Sequence, residues 1–181
     1  MQTTLLDMIR EQGGAVLDCD AIYHRLLRDD ANLLNAIETR FPGTVMNGQL
    51  QRKLLGQIVF SDRKALEDLN KITHSAVKTE VIRLLKDEPD LAAIDAIGLF
   101  ESGLDKLCKL TVAVTAPEED RIARLMARDN ISREYALSRI HAQPTCEEFS
   151  NLCDYTLCND GTREDFQEKC LAFLGKLGIM K

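Results

Sequence analysis

No stretch of this 181-residue chain is apolar for long enough to cross a membrane, and no segment is of low complexity. An export signal is missing as well. Leu5, Leu6, Met8 and Ile9 are interrupted by Asp7 and Arg10, so no continuous apolar segment forms and the expected compartment is the cytoplasm. Positive charge is in deficit: 23 Lys and Arg against 29 Asp and Glu give a formal net charge of −6. That excludes a general nucleic-acid binder, which would depend on many phosphate contacts, although basic groups can still gather around a small anion. The cysteines at 19, 108, 146, 153, 158 and 170 form no Cys-x-x-Cys pair. Reduced, mostly buried thiols are expected from them in place of a zinc site. There is no internal repeat. What remains, 45% hydrophobic and 29% charged residues, describes an ordinary soluble globular domain long enough to bury a real core, with room for a helical insertion.

The stretch from Gly13 to His24 organises the rest. Ala15, Val16 and Leu17 form a short apolar run after a glycine pair, which predicts a parallel strand covered on both faces. Asp18 and Asp20 follow at its carboxyl end, the edge of an α/β sheet where ligands bind. One of them is free to cap the next helix, and an Asp after a strand is as readily explained as a helix cap as a catalyst.

Periodicity extends the pattern in both directions. A helix is expected over 3–12, stopped by Gly13-Gly14, and Asp20 is expected to cap a helix that runs to Leu27. Leu33, Leu34, Ile37 and Phe41 space a helix ending at Pro42-Gly43, and Asn47-Gly48 reads as a tight turn. A helix carrying Leu54, Leu55, Ile58 and Val59 follows, then one capped by Ser61, then one opened by Thr73 and running to Leu85. Residues 21–86 thus read as a helical block between strands. A loop at 87–90 containing Pro89 leads to a strand at 91–97, and another strand spans 110–115. Pro117, Glu118 and Glu119 start a helix carrying Arg121, Arg124 and Arg128, and Ser132 caps one carrying Arg133 and Arg139 through 142. A strand at 155–158 and a helix opened by the Thr162-x-x-Asp165 capping box complete the chain. Alternating strands and helices predict an α/β fold with a doubly wound parallel sheet.

A helical insert, strand ends bearing acids and an arginine-rich helical pair suggest a small phosphoryl-transfer kinase, in which catalysis is positioning plus charge neutralisation. Arginine suits phosphate because its planar fork binds two oxygens at once. The same arginines would also be explained by a solvated helix face.

Six blocks in order carry a resemblance. They are Asp18-Cys19-Asp20-Ala21-Ile22-x-His24, Leu50-Gln51-Arg52-Lys53-x-Leu55-Gly56-x-x-Val59-Phe60, Ile72-Thr73-His74, Leu99-Phe100-Glu101-Ser102-Gly103-Leu104, Arg124-Leu125-Met126-Ala127-Arg128-Asp129, and Arg139-Ile140-x-Ala142-Gln143. Together they resemble the dephospho-CoA kinase family over nearly the whole chain. Cys19 stands where the family commonly has a small residue, Ser75 where it has Pro, and Ala96-Ile97-Gly98 in place of a Pro-Leu pattern. The resemblance implies a three-layer fold of P-loop nucleotide-kinase type in a single kinase domain, with an acceptor-binding insert at 21–86 and a lid at 117–146. It also implies transfer of the ATP γ-phosphoryl to the ribose 3′-hydroxyl of dephospho-CoA with Mg²⁺, by a monomer or weak homo-oligomer needing neither membrane nor nucleic acid.

By the same resemblance Asp20 is the base, and Asp18 helps to place the metal, the substrate or nearby groups. Arg124 lies at the transferring phosphate, and Arg128 and Arg139 belong to the lid that closes on the nucleotide. Arg52, Lys53 and His74 would face the acceptor. Asn159 and Gly161 would line the adenine, although a plain turn also explains Asp160-Gly161, and a histidine at a helix start can be a cap or a packed residue. Asp20 and Arg124 are expected to converge on one reacting phosphate.

The family's phosphate loop, a glycine-rich run ending in Gly-Lys-Ser/Thr-Thr, has no counterpart in these residues. Thr3-Thr4 resembles its last two residues, with Thr3 then the implied Mg²⁺ ligand, and Met1-Gln2 stands in the place of Gly-Lys. The expectation is a shortened form of a longer protein, lacking the central strand that pairs with both the 91–97 and 110–115 strands. Such a form would be poorly soluble and would not turn over ATP. Two alternatives are a catalytically inactive homologue that only binds CoA-like ligands, and a related kinase for another nucleotide or nucleoside.

Overall fold

The computed structural model describes residues 2–86 and 90–179, except for the side chains of Gln2 and Thr3. Residues 87–89 of the expected Pro89 loop therefore lie outside the described residues. The first helix, α1 (Gln2–Glu11), stops where predicted, at a Gly13 with φ of +80°. The chain then divides into two compact units, Gly13–Leu107 and the residues on either side of it.

In the Gly13–Leu107 unit, β1 (Ala15–Asp18) lies parallel to β4 (Ala92–Asp95), with Ala15 opposite Ala92 and Asp18 opposite Asp95. Residues 15–17 are half-buried and not fully covered, as befits a strand with one neighbour. α2 (Cys19–Asp29) starts immediately. Its cap is Asp18, whose carboxylate accepts the Ala21 N–H at 2.9 Å, and not Asp20 as expected. α3 (Ala31–Arg40) is capped by Asp30 and ends before Gly43 at φ +83°.

The helical block is then broken by a hairpin, β2 (Val45–Met46) and β3 (Gln49–Leu50), around the predicted Asn47-Gly48 turn. Both turn residues have positive φ, +50° and +73°, the geometry that joins antiparallel strands most tightly. Hydrogen bonds from the Gly43 and Val45 backbone hold the Glu38 carboxyl below its usual range. After α4 (Arg52–Ser61) comes a single 23-residue helix, α5 (Arg63–Leu85), where two helices were expected. Asp62 caps it, because Ser61 instead bonds back to Gln57 and Ile58 carbonyls in the last turn of α4. Thr73 opens nothing: its hydroxyl donates to the Leu69 and Asn70 carbonyls inside the helix, which satisfies it without a break.

The apolar faces of α2, α3 and α4 pack on α5, with Ile37 and Val81 wholly buried among Leu33, Phe41, Leu55, Val59 and Val77. Glu80, on α5, ties α2 to this core. Its carboxylate accepts from Arg25 at 2.8 Å and from Arg83 at 2.7 and 2.8 Å, which lowers its pKa to about 2. A depressed carboxylate contributes stability above its unfolded pKa and loses it as pH falls through the folded value. Glu80→Gln is therefore expected to cost about 1–3 kcal/mol at pH 7 and to flatten the loss of stability between pH 4.5 and 2, measured by urea unfolding across that range.

In the other unit, β5 (Val112–Thr115) is parallel to β6 (Tyr155–Cys158). Pro117 precedes α6 (Glu118–Asp129), which ends in a left-handed Asn130, and Ser132 caps α7 (Arg133–His141). A further helix, α8 (Cys146–Leu152), was not expected from the sequence, although Thr145-x-x-Glu148 forms a full capping box. α9 (Arg163–Lys176) carries the predicted box of Thr162 and Asp165, and it packs with α1. Ile122, Ala136 and Ile140 join α6 to α7.

One continuous doubly wound sheet is not what the described residues form. β1–β4 and β5–β6 are separate two-stranded parallel sheets, and no described strand pairs with both. No cysteine is in a disulfide among the described residues, but only Cys19 and Cys170 are fully buried and the other four are half-buried, a correction to the expectation. No described helix is long and apolar enough to cross a membrane.

Candidate functional site

A cleft of about 220 Å³ opens in the Gly13–Leu107 unit between the start of α2, the middle of α5 and the segment after β4. Asp20, Tyr23, Asn70, His74, Gly98 and Ser102 supply much of its lining over an apolar floor that includes Leu69, Val77 and Leu104. Asp18 and Asp20 are separated by function. Asp18 is committed to the helix cap, whereas Asp20, in the first turn of α2, is exposed and has no hydrogen-bond partner among the described residues. An uncommitted carboxylate at a helix start remains free to accept a proton or a hydroxyl hydrogen bond.

His74 is not at a helix start but mid-way along α5, half-buried, with Asn70 and Lys78 one turn to either side on the same face. Asn70 lines the cleft and Lys78 fixes its far wall, donating to the Gly103 carbonyl at 2.9 Å. Gly103 has φ of +67°, so the turn there favours glycine. Ser102 completes the wall by donating its hydroxyl to the Gly98 carbonyl at 2.6 Å. Arg52 is exposed at the start of α4 and reaches the cleft electrostatically: burial pushes the Tyr23 phenol up, and the Arg52 charge partly offsets the push. Lys53 is exposed beside it and does not line the cleft.

The other unit holds the expected anion-binding groups. Arg124 donates to Asn159 Oδ1 at 3.3 Å, and Asn159 is buried at the end of β6. Its other amino group, Nη1, is buried with no hydrogen-bond partner among the described residues. A buried guanidinium nitrogen left unpaired is costly, and an anionic oxygen would relieve it. Arg128 and Arg139 are both engaged: they clamp Asp129 from two sides at 2.6 Å each and hold its carboxyl far below the usual range. Arg121 donates to Gln143 and Arg133 pairs with Glu119, so most of the basic face is neutralised internally. Gly161 has a packing reason of its own, since a Cβ there would meet the capping carboxylate of Asp165 at 2.6 Å.

Thr4 is half-buried in α1, and the side chain of Thr3, the implied metal ligand, lies outside the described residues. No group of three or more His, Cys, Asp or Glu among the described residues could hold a metal ion. The structure thus gathers Asp20 and His74 into one cleft, with Arg52 acting on it, and adds Asn70, Tyr23, Gly98 and Ser102, which the sequence reading passed over as site residues. The i, i+4 spacing of Asn70 and His74 was the available signal.

Comparison with known proteins points one way. The family profile described as "Dephospho-CoA kinase" matches residues 2–165. The dephospho-CoA kinase of Lactobacillus acidophilus is 34% identical over 182 residues, covering 97% of this chain and 91% of its own. That of Carboxydothermus hydrogenoformans is 34% identical over 181 residues, covering 97% and 88%. Among solved structures, one from Thermus thermophilus is similar with a TM-score of 0.79 at 34% identity, covering 97% of this chain and 91% of that one. The dephospho-CoA kinase of Campylobacter jejuni has a TM-score of 0.65 at 25% identity, covering 97% and 90%. A match of this breadth, over residues that include the cleft and the arginine helices, means that the chain belongs to the dephospho-CoA kinase family.

Proposed function

We propose that the cleft binds dephospho-CoA as phosphoryl acceptor, and that the reaction it serves is transfer of the γ-phosphoryl of ATP to the ribose 3′-hydroxyl. The observation that carries this reading is Asp20, a carboxylate with no internal partner in a cleft that also presents Asn70 and His74. As the hydroxyl oxygen bonds to the γ-phosphorus, its proton passes to the Asp20 carboxylate and the bond to the ADP oxygen breaks. Asp18 acts indirectly, by fixing the turn that presents Asp20. Arg52 and Lys53 add positive charge toward the acceptor's phosphates.

For the nucleotide, the unpaired Nη1 of Arg124 fits an anionic oxygen, and buried Asn159 adjoins it. Arg128 and Arg139 would join once released from Asp129. Mg²⁺ would supply neutralisation of charge on the nucleotide's phosphates. Thr3 is the residue proposed to touch it.

A second reading is binding without transfer. It is favoured by one observation: these 181 residues contain no Gly-x-x-x-x-Gly-Lys-Ser/Thr run to cradle phosphates. Calorimetric titration separates the proposals from a nucleoside kinase. Dephospho-CoA is expected to bind and to resist displacement by a tenfold excess, roughly, of adenosine or thymidine, as the extra phosphates meet Arg52 and Lys53. Equal displacement by a plain nucleoside would refute the assigned acceptor.

A further inference from the structure

Tyr23 stands one turn beyond Asp20 on α2, so the two side chains share a helix face, and both line the cleft. Its ring is half-buried against the core of the helical block. The hydroxyl, by contrast, makes no side-chain hydrogen bond among the described residues. Phenylalanine would supply the same packing, and a tyrosine hydroxyl at such a depth ordinarily finds a partner, so this one is left over for whatever enters the cleft.

Its surroundings narrow the choice of partner. Burial pushes the phenol up, so at neutral pH it keeps its proton and can donate it in a hydrogen bond. The charge that acts on it is the Arg52 cation. α2 packs on β3 (Gln49–Leu50), two residues before Arg52, which brings the start of α4 beside α2. Arg52 forms no ion pair among the described residues. A free proton donor and an unpaired guanidinium acting on one part of a cleft suit an anion with several oxygen acceptors.

We infer that the Tyr23 hydroxyl, together with Arg52, holds the phosphate on the 5′ side of the acceptor's ribose and so sets the 3′-hydroxyl against Asp20. This rests on the acceptor reading of the cleft. The 5′-phosphate and the 3′-hydroxyl lie at two ends of one sugar, a separation comparable with the rise of one helical turn, about 5.4 Å. A grip on the phosphate from residue 23 therefore leaves the hydroxyl within reach of residue 20. A plain nucleoside has the hydroxyl but nothing to grip. Position 23 is open in the family pattern, Ile22-x-His24, whereas Arg52 belongs to it. The hydroxyl is thus this chain's own addition, which tightens and orients an acceptor that Arg52 already attracts and is not what admits it.

The test uses the full chain labelled with ¹³C at the tyrosine Cζ atoms. There are three tyrosines, so the signal missing from Tyr23→Phe assigns Tyr23. In the unsubstituted chain, dephospho-CoA and inorganic pyrophosphate are each expected to move that signal, and adenosine to move it far less. In calorimetric titration, Tyr23→Phe, which keeps the ring and its packing, should weaken dephospho-CoA about tenfold and leave adenosine unchanged. Thermal melting shows that the variant is folded. An unmoved Tyr23 signal with dephospho-CoA, unchanged affinity in Tyr23→Phe, or an equal loss for adenosine overturns this assignment while the acceptor reading stands. If the unsubstituted chain does not bind dephospho-CoA, both fall.

Discussion

Mixed with ATP, Mg²⁺ and dephospho-CoA, a polypeptide of these 181 residues is expected to bind dephospho-CoA yet release no ADP above the blank in a coupled assay. The reason lies in what positions a transferring phosphoryl group. In a P-loop enzyme, backbone N–H groups and a lysine surround the β- and γ-phosphates and are already oriented before the charge develops. These residues contain no Gly-Lys-Ser/Thr run, so that cradle is not among them. Removing one preorganised donor costs about 3 to 4 kcal/mol, roughly 10²–10³ in rate, and removing the cradle with its lysine costs more, although such losses do not simply add. Arg124 alone, with one buried unpaired nitrogen, would replace only part of it under the proposed reading. The complement is a chimera in which a relative's strand and glycine-rich loop are fused ahead of Thr3. Turnover is expected to appear in the chimera, and robust ADP release by the 181 residues themselves would show that the phosphates are held some other way.

In that chimera, Asp20→Asn is expected to lower kcat by about 10²- to 10⁴-fold with little change in the affinity for dephospho-CoA. Asparagine keeps the size and hydrogen-bonding reach of the side chain but cannot take the proton that leaves the ribose hydroxyl. Asp18→Asn is the control. An amide oxygen still accepts the Ala21 N–H, so the helix start should survive and the rate should fall far less. Equal losses from the two substitutions would mean that the acids act as a structural pair, and the role given to Asp20 would then be wrong.

The contrast between these two acids also marks where the sequence stops being readable. Ala15–Leu17 declares a strand because three apolar residues between glycines and acids leave little else to form, and β1 lies there. Asp-Cys-Asp does not declare which acid caps the helix. That depends on where the backbone turns helical, and the extended φ and ψ of Asp18 decide it. Ser61 and Asp62 pose the same ambiguity one helix later. Thr73 was misread as a helix start because a hydroxyl that bonds back to the preceding turn looks, in sequence, like a cap. The blocks of the family pattern named Asp20 and His74 together. Nothing in the sequence brings Gly98 beside His74, because that contact is made by folding a strand and its turn back onto α5. Asn47-Gly48 announced its turn, but strands of two residues on each side are too short to leave a periodic signal.

Arg128 and Arg139 share one carboxylate, and this has a consequence for any anion that arrives at them. An anion that took the place of Asp129 between them would enter by exchange, and the net gain would be only the difference between two pairings of opposite charge. Chloride or acetate gains nothing by such a swap. A polyphosphate, with several charged oxygens to set against a single departing carboxylate, would gain by it, so under the nucleotide reading the resident aspartate would act as a threshold of charge.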